Sequence, residues 1–265
     1  MTSHMNFTPA NPTGPLDLTK PPENKGFRGT PGRVLTLVIG LPLMLGAIGW
    51  GAFTAVGLLA HTSETHHASY AWNGGSFSLN VGDGNVQIRT TSAKTVDVAY
   101  TEHYELKRPV VRASSGPGGI SLSGKCASGP LGNNCYVNYV ISVPKSAPLK
   151  LHIADGNLSL QGVSAPLEVH AGDGNISGSA LTSTEVALSS GDGDIDLQWN
   201  SAPRQYTSTS GDGDITVTVP RGSGPYAIQH SGSGGSEIRV ATDPAAKDSM
   251  VLHAGDGNLL VQYGS

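Results

Sequence analysis

The chain has 265 residues, with 36 glycines, 17 prolines, 37% hydrophobic, 6% aromatic and 14% charged side chains. No collagen period supports a triple helix, the glycine and proline content falls short of a disordered chain, and two cysteines cannot build a disulfide scaffold or a four-thiolate zinc site. The net charge of −4 is divided into +2 over residues 1–33, none over 34–60 and −6 over 61–265, and an acidic outer region without a basic stripe excludes nucleic acid as a partner.

Residues 1–33 are polar and carry Pro9, Pro12, Pro15, Pro21, Pro22 and Pro31. They read as a disordered cytoplasmic tail. Val34 to Ala60 is an uncharged run interrupted only by Thr36 and Thr54. A membrane helix needs about 20 apolar residues, so this run predicts a single span over 34–60. Lys20, Lys25, Arg28 and Arg33 precede it, and no Lys or Arg lies between His61 and Ser69. The positive-inside rule then places the N-terminus in the cytoplasm and residues 61–265 outside. The long start and long apolar run favour an uncleaved signal anchor over a signal peptide. Residues 61–72, with His61, His66 and His67, read as a solvated linker, and 73–265 as one extracytoplasmic domain.

Within that domain one turn recurs. It reads Gly82-Asp83-Gly84-Asn85, Ala154-Asp155-Gly156-Asn157, Gly172-Asp173-Gly174-Asn175, Gly191-Asp192-Gly193-Asp194 and Gly211-Asp212-Gly213-Asp214. A degenerate Gly232-Ser233-Gly234-Gly235 and a final Gly255-Asp256-Gly257-Asn258 complete the series. From Asp155 onward the spacing grows from 18 to 23 residues. A near-fixed period of this length marks a solenoid or array. Alternating aliphatic residues flank the turns, as in Leu149, Leu151, Ile153 before and Leu158, Leu160 after, which predicts strand, tight turn, strand. Glycine is expected to supply positive φ, and Asp or Asn to bond its own backbone. The other chain reversals vary in sequence. One coil per repeat therefore aligns the turns in a column and stacks the aliphatic residues inward as ladders.

Residues 70–144 are less regular. Val96, Val98 and Tyr100 alternate, as do Ile120 and Leu122, and Tyr136 to Val143 is strand-like. This reads as the start of the same β-structure with longer strands and an insertion. Cys126 and Cys135 lie in the insertion, and outside the cytoplasm so close a pair predicts a disulfide closing a surface loop.

The Gly-[Asp/Ser]-Gly-[Asp/Asn]-aliphatic turns at this spacing, following an apolar N-terminal segment, resemble the bacterial DUF4097 family, which also carries the label putative adhesin. The resemblance covers roughly residues 75–262 and departs from the pattern at Ser233-Gly234-Gly235-Ser236. It implies an all-β, right-handed β-helix-like solenoid on the bacterial envelope, and it hands over no catalytic residues.

Two columns could carry chemistry. Eight of the 20 acids sit in the turns, among them Asp155 and Asp173. Carboxylates aligned about 4.8 Å apart must be solvated, bonded to turn amides or bridged by a cation such as calcium. The plain reading is Asp as a turn former. Two residues before each turn an outward-facing column holds Asn80, His152, His170, Ser189, Thr209, His230 and His253. His152 with His170, and His230 with His253, are expected to be neighbours on adjacent coils beside a turn Asp. Imidazole with carboxylate suits zinc, nickel or copper; the competing reading is an exposed polar column.

No nucleophile elbow, phosphate loop or His-Glu-x-x-His motif is present, so the sequence predicts no enzyme and no cofactor beyond a divalent metal. The expected function is an envelope-anchored module that binds envelope polysaccharide or a protein partner, in the manner of an adhesin. One alternative is an envelope-stress or metal-sensing accessory protein. The other is a carbohydrate-active β-helix enzyme with Trp199, Tyr206 and Tyr226 as the nearest aromatic platform.

Overall fold

The computed structural model describes residues 62–127 and 134–264. The expected tail (1–33) and membrane span (34–60) lie outside the described residues. Among the described residues the regular elements are strands, and no helix there is long and apolar enough to cross a membrane.

In chain order the first strands are β1 (Thr62–Ala71), β2 (Ser76–Val81), β3 (Val86–Thr91) and β4 (Thr95–Tyr104). The insertion supplies β5 (Val110–Gly116), β6 (Gly119–Lys125) and β7 (Tyr136–Pro144). The regular repeats follow as β8 (Leu149–Asp155) and β9 (Leu158–Gln161), β10 (Leu167–Asp173) and β11 (Ile176–Leu181), β12 (Glu185–Ser190) and β13 (Ile195–Trp199), and β14 (Gln205–Ser210) and β15 (Ile215–Val219). The last two coils are β16 (Tyr226–Ser231) with β17 (Ser236–Ile238), and β18 (Asp248–Ala254) with β19 (Leu259–Tyr263).

Each coil gives one strand to each of two sheets. One sheet has ten strands in the order β1-β4-β7-β3-β9-β11-β13-β15-β19-β17, and the other nine in the order β16-β18-β14-β12-β10-β8-β2-β6-β5. Neighbouring coils pair in parallel. Leu149, Leu167, Val186 and Tyr206 are successive partners in one sheet, and Leu158, Ile176, Ile195 and Ile215 in the other. The ladders expected from the repeat are therefore present, and their side chains fill the space between the sheets. Narrow aliphatic layers suffice because the two sheets are the whole wall thickness; this is why the chain manages with few aromatics.

The coils do not all stack in chain order. From β8/β9 to β14/β15 they do. At one end β2/β3 lies between β6/β7 and β8/β9, and at the other β18/β19 lies between β14/β15 and β16/β17. Both the first and the last coil of the array are thus one place inward from its ends.

The expected linker is corrected here. Thr62–Ala71 is a ten-residue edge strand paired antiparallel with β4 along its whole length. Its even-numbered side chains are half-buried on the face shared with Val96 and Val98, while the odd-numbered ones are exposed. Polar residues at almost every position hide this alternation from hydropathy alone. Cys126 and Cys135 form the expected disulfide.

Candidate functional site

The turn column has a definite chemistry. Wherever the fourth turn residue is Asp or Asn, its side-chain oxygen accepts a hydrogen bond from the backbone amide of the equivalent residue one coil along. Asn157 N donates to Asn85 Oδ1 (3.2 Å), Asn175 N to Asn157 Oδ1 (3.1 Å) and Asp194 N to Asn175 Oδ1 (2.9 Å). The ladder continues with Asp214 N to Asp194 Oδ1 (2.9 Å), Asn258 N to Asp214 Oδ1 (2.6 Å) and Gly235 N to Asn258 Oδ1 (3.1 Å). Only Asp and Asn place an acceptor at this reach, so the fourth position is a structural ladder that joins the coils.

The glycine two residues after the column's first position is required by close approach more than by positive φ. A Cβ on Gly174 would lie 2.2 Å from the Gly156 carbonyl oxygen, one on Gly193 2.0 Å from that of Gly174, and one on Gly213 2.2 Å from that of Gly193. In this column only Gly84 and Gly156 fall in the left-handed region, so the expected role of glycine is corrected to clearance for the neighbouring carbonyl. Ser190 and Ser210, buried just before their turns, each accept from the turn amide three residues on, Gly193 N at 3.3 Å and Gly213 N at 3.1 Å.

The outward histidine column is partly assembled. His152 and His170 are in register on β8 and β10, both exposed, with Asp155 and Asp173 in register nearer the turn. His170 Nε2 lies 3.4 Å from Glu168 Oε1, and Lys150 Nζ lies 3.8 Å from Glu168 Oε2. The second pair does not form. His230 is opposite Leu252, and His253 is opposite Ser231, whose hydroxyl lies 2.9 Å from His253 Nδ1. Ser231 pairs with His253 before the turn and Ser236 with Leu259 after it, so the degenerate turn at Ser233 is one residue shorter than its neighbour. That offset leaves β16 one place out of step with the column, and in a strand one place exchanges the two faces.

The aromatic platform is also corrected. Trp199, Tyr206 and Tyr226 are buried in the core. Trp199 donates from Nε1 to the Ser183 carbonyl (3.2 Å) and packs edge-on against Tyr206, with ring centroids 5.0 Å apart. Burial pushes the phenols of Tyr206, Tyr139 and Tyr226 above the ordinary tyrosine range.

A different cluster emerges at the β1–β4 end. Among the described residues, the group of three or more His, Cys, Asp or Glu with converging ligand atoms is Glu64, His66 and Glu102, all within 4.8 Å of one another. Glu64 is opposite Glu102, and His66 opposite Tyr100, whose ring centroid is 5.0 Å from the imidazole's. Arg108, on the connection between β4 and β5, reaches in. Its Nε donates to Glu102 Oε2 (2.6 Å), and its Nη2 to Glu64 Oε2 (2.9 Å) and His66 Nε2 (2.7 Å). The Glu102 hydrogen bond and charge hold Arg108 above its ordinary value, while burial, followed by the Glu102 charge, raises the Tyr100 phenol. Reading residues 61–72 as a linker concealed this cluster. The signal was the spacing of Glu64, His66, Ala68 and Tyr70, which matches the alternation of Val96, Val98, Tyr100 and Glu102.

Comparison with known proteins agrees with this architecture. No curated protein matches. A solved structure named "putative cell adhesion protein", from Clostridium sporogenes, superposes with a TM-score of 0.50 at 16% identity, covering 77% of this chain and 100% of its own. A second, named "putative adhesin", from Bacteroides fragilis, gives a TM-score of 0.42 at 14% identity, covering 75% of this chain and 97% of its own. At 16% identity the first of these likenesses speaks for the fold alone. The family model described as Toastrack DUF4097 matches residues 75–263, the span of the coiled array, and the chain belongs to that family.

Proposed function

We propose that this chain is a single-pass bacterial envelope protein whose extracytoplasmic solenoid acts as an adhesin-like module for a repeating polar polymer, an envelope polysaccharide. The observation that carries the reading is the outer face of the nine-stranded sheet. There Lys150, Glu168, Ala187 and Thr207 form one in-register row, and His152, His170, Ser189 and Thr209 the next, one residue per coil. Parallel strands repeat about every 4.8 Å, so such rows present hydroxyl, imidazole and charged groups at a constant pitch. A ligand with its own repeat can engage several coils at once, and multivalency raises overall affinity without any single deep pocket.

Anchoring is supported by the uncharged 34–60 segment with its basic N-terminal flank. The Cys126–Cys135 disulfide suits an oxidising compartment. The adhesin-like part of the reading is supported by the name of the Clostridium sporogenes structure, a "putative cell adhesion protein".

The test is a pull-down of the full-length chain with purified cell-wall polysaccharide. Replacing Lys150, His152 and His170 together by alanine is expected to reduce retention about tenfold, because three contacts on adjacent coils are lost. Retention unchanged in the triple variant would move the binding surface elsewhere and sink the assignment.

A further inference from the structure

We propose that Glu64, His66 and Glu102 form a binding site for a zinc-class divalent cation, with Arg108 as a displaceable guanidinium that occupies the same place. It stands apart from the polymer-binding face.

The geometry is that of a ligand set. His66 Nε2 lies 3.6 Å from Glu64 Oε2 and 3.7 Å from Glu102 Oε2. Ligands bonded to one ion at about 2.0–2.2 Å are separated by about this distance, and three protein ligands plus water is a common zinc arrangement. The donor geometry also fits. A guanidinium only donates, so in the 2.7 Å contact Arg108 Nη2 points an N–H at His66 Nε2. A cation in the guanidinium's place would face the same nitrogen, the kind of atom through which imidazole ligates a metal.

Charge and exposure explain how exchange can occur. Two carboxylates carry −2, which one guanidinium half-balances and one divalent ion balances fully. The Glu102 side chain is 4% exposed and fixed on β4, whereas Arg108 is 50% exposed on a connecting segment. The ligands stay in place while the arginine swings into water. An imidazole with two carboxylates favours zinc-class ions over calcium, which takes six to eight oxygen ligands.

The experiment titrates the full-length chain with zinc chloride against a chromophoric zinc chelator, with calcium chloride as control. Arg108→Gln is expected to bind one zinc per chain roughly tenfold more tightly than wild type, because the competing cation is gone. Glu64→Gln and His66→Ala alter partly exposed side chains and are expected to weaken wild-type binding about tenfold or more. Circular dichroism establishes that each variant is folded; should Arg108→Gln unfold, the other two variants decide. Zinc affinity unchanged by Glu64→Gln and His66→Ala overturns the site, as does a folded Arg108→Gln that binds no more tightly than wild type. Absence of a stoichiometric zinc site from both wild type and Arg108→Gln also overturns it. Loss of polysaccharide binding in the outer-face triple variant, with zinc affinity intact, separates this site from the polymer-binding reading.

Discussion

The middle of the array and its two ends use the same repeat with different consequences. From β8/β9 to β14/β15 the coils stack in chain order, and every turn presses on its predecessor. At both ends a later or earlier segment intrudes: β6/β7 caps β2/β3, and β16/β17 caps β18/β19. A strictly sequential solenoid leaves its first and last coils with one open side each. Here those coils are paired on both sides, and the open edges fall on β1, β5, β16 and β17. β17 is only three residues long, and most of β5 is exposed, both of which make poor templates for further strand pairing. The repeat thus specifies how coils touch, and the ends specify where stacking stops.

The largest expected effect comes from breaking the end order. β16 and β17 have β18 and β19 as their strand neighbours, although these follow them in sequence. Ending the chain after Lys247 removes only the coil made by β18 and β19. That truncation is expected to abolish hydrogen-exchange protection over 226–238 as well. Persistence of slow exchange there would show that the penultimate coil holds on without its partner, contrary to the strand order.

A sharper comparison uses one turn position in two places. A Cβ on Gly255 would lie 2.0 Å from the Gly211 carbonyl oxygen, whereas one on Gly82 meets nothing within 4 Å. Gly255→Ala is expected to cost about 3 kcal/mol in urea melts and Gly82→Ala less than about 0.5 kcal/mol. Equal effects would mean that stacking distance does not decide the glycine column.

The smallest effects probe the amide ladder. Asp194→Ala removes the acceptor for Asp214 N and is expected to cost about 1 kcal/mol. Asp194→Asn keeps an acceptor in place and is expected to change stability by less than about 0.5 kcal/mol. A large loss in Asp194→Asn, measured in the same melts, would assign the carboxylate a role beyond the ladder.

How much of this was legible in the sequence follows from range. Strands, the inward ladder and the places of the turns were legible because they rest on period-two alternation and on a repeated Asp-Gly pair, both visible within a few residues. The pairing of Cys126 with Cys135 was legible for the same reason. What the turn's glycine and its Asp or Asn do was not legible, because they serve the neighbouring coil's carbonyl and amide and not their own backbone. The histidine column was legible only while the repeat kept its register. It held for His152 and His170 and failed for His230, where the shorter turn at Ser233 puts the strand one place out of step.

The sequence by itself determined the coil: its length, its turn and the side chains that face inward. Tertiary structure alone decided the order of the end coils, the strand made by Thr62–Ala71 and the meeting of Glu64, His66, Glu102 and Arg108. These depend on pairings such as β3 with β9 and contacts such as Arg108 with Glu64, between segments some 44 to 72 residues apart. No local propensity encodes such partners. They are selected by which arrangement buries the alternating faces and satisfies the most backbone groups at once.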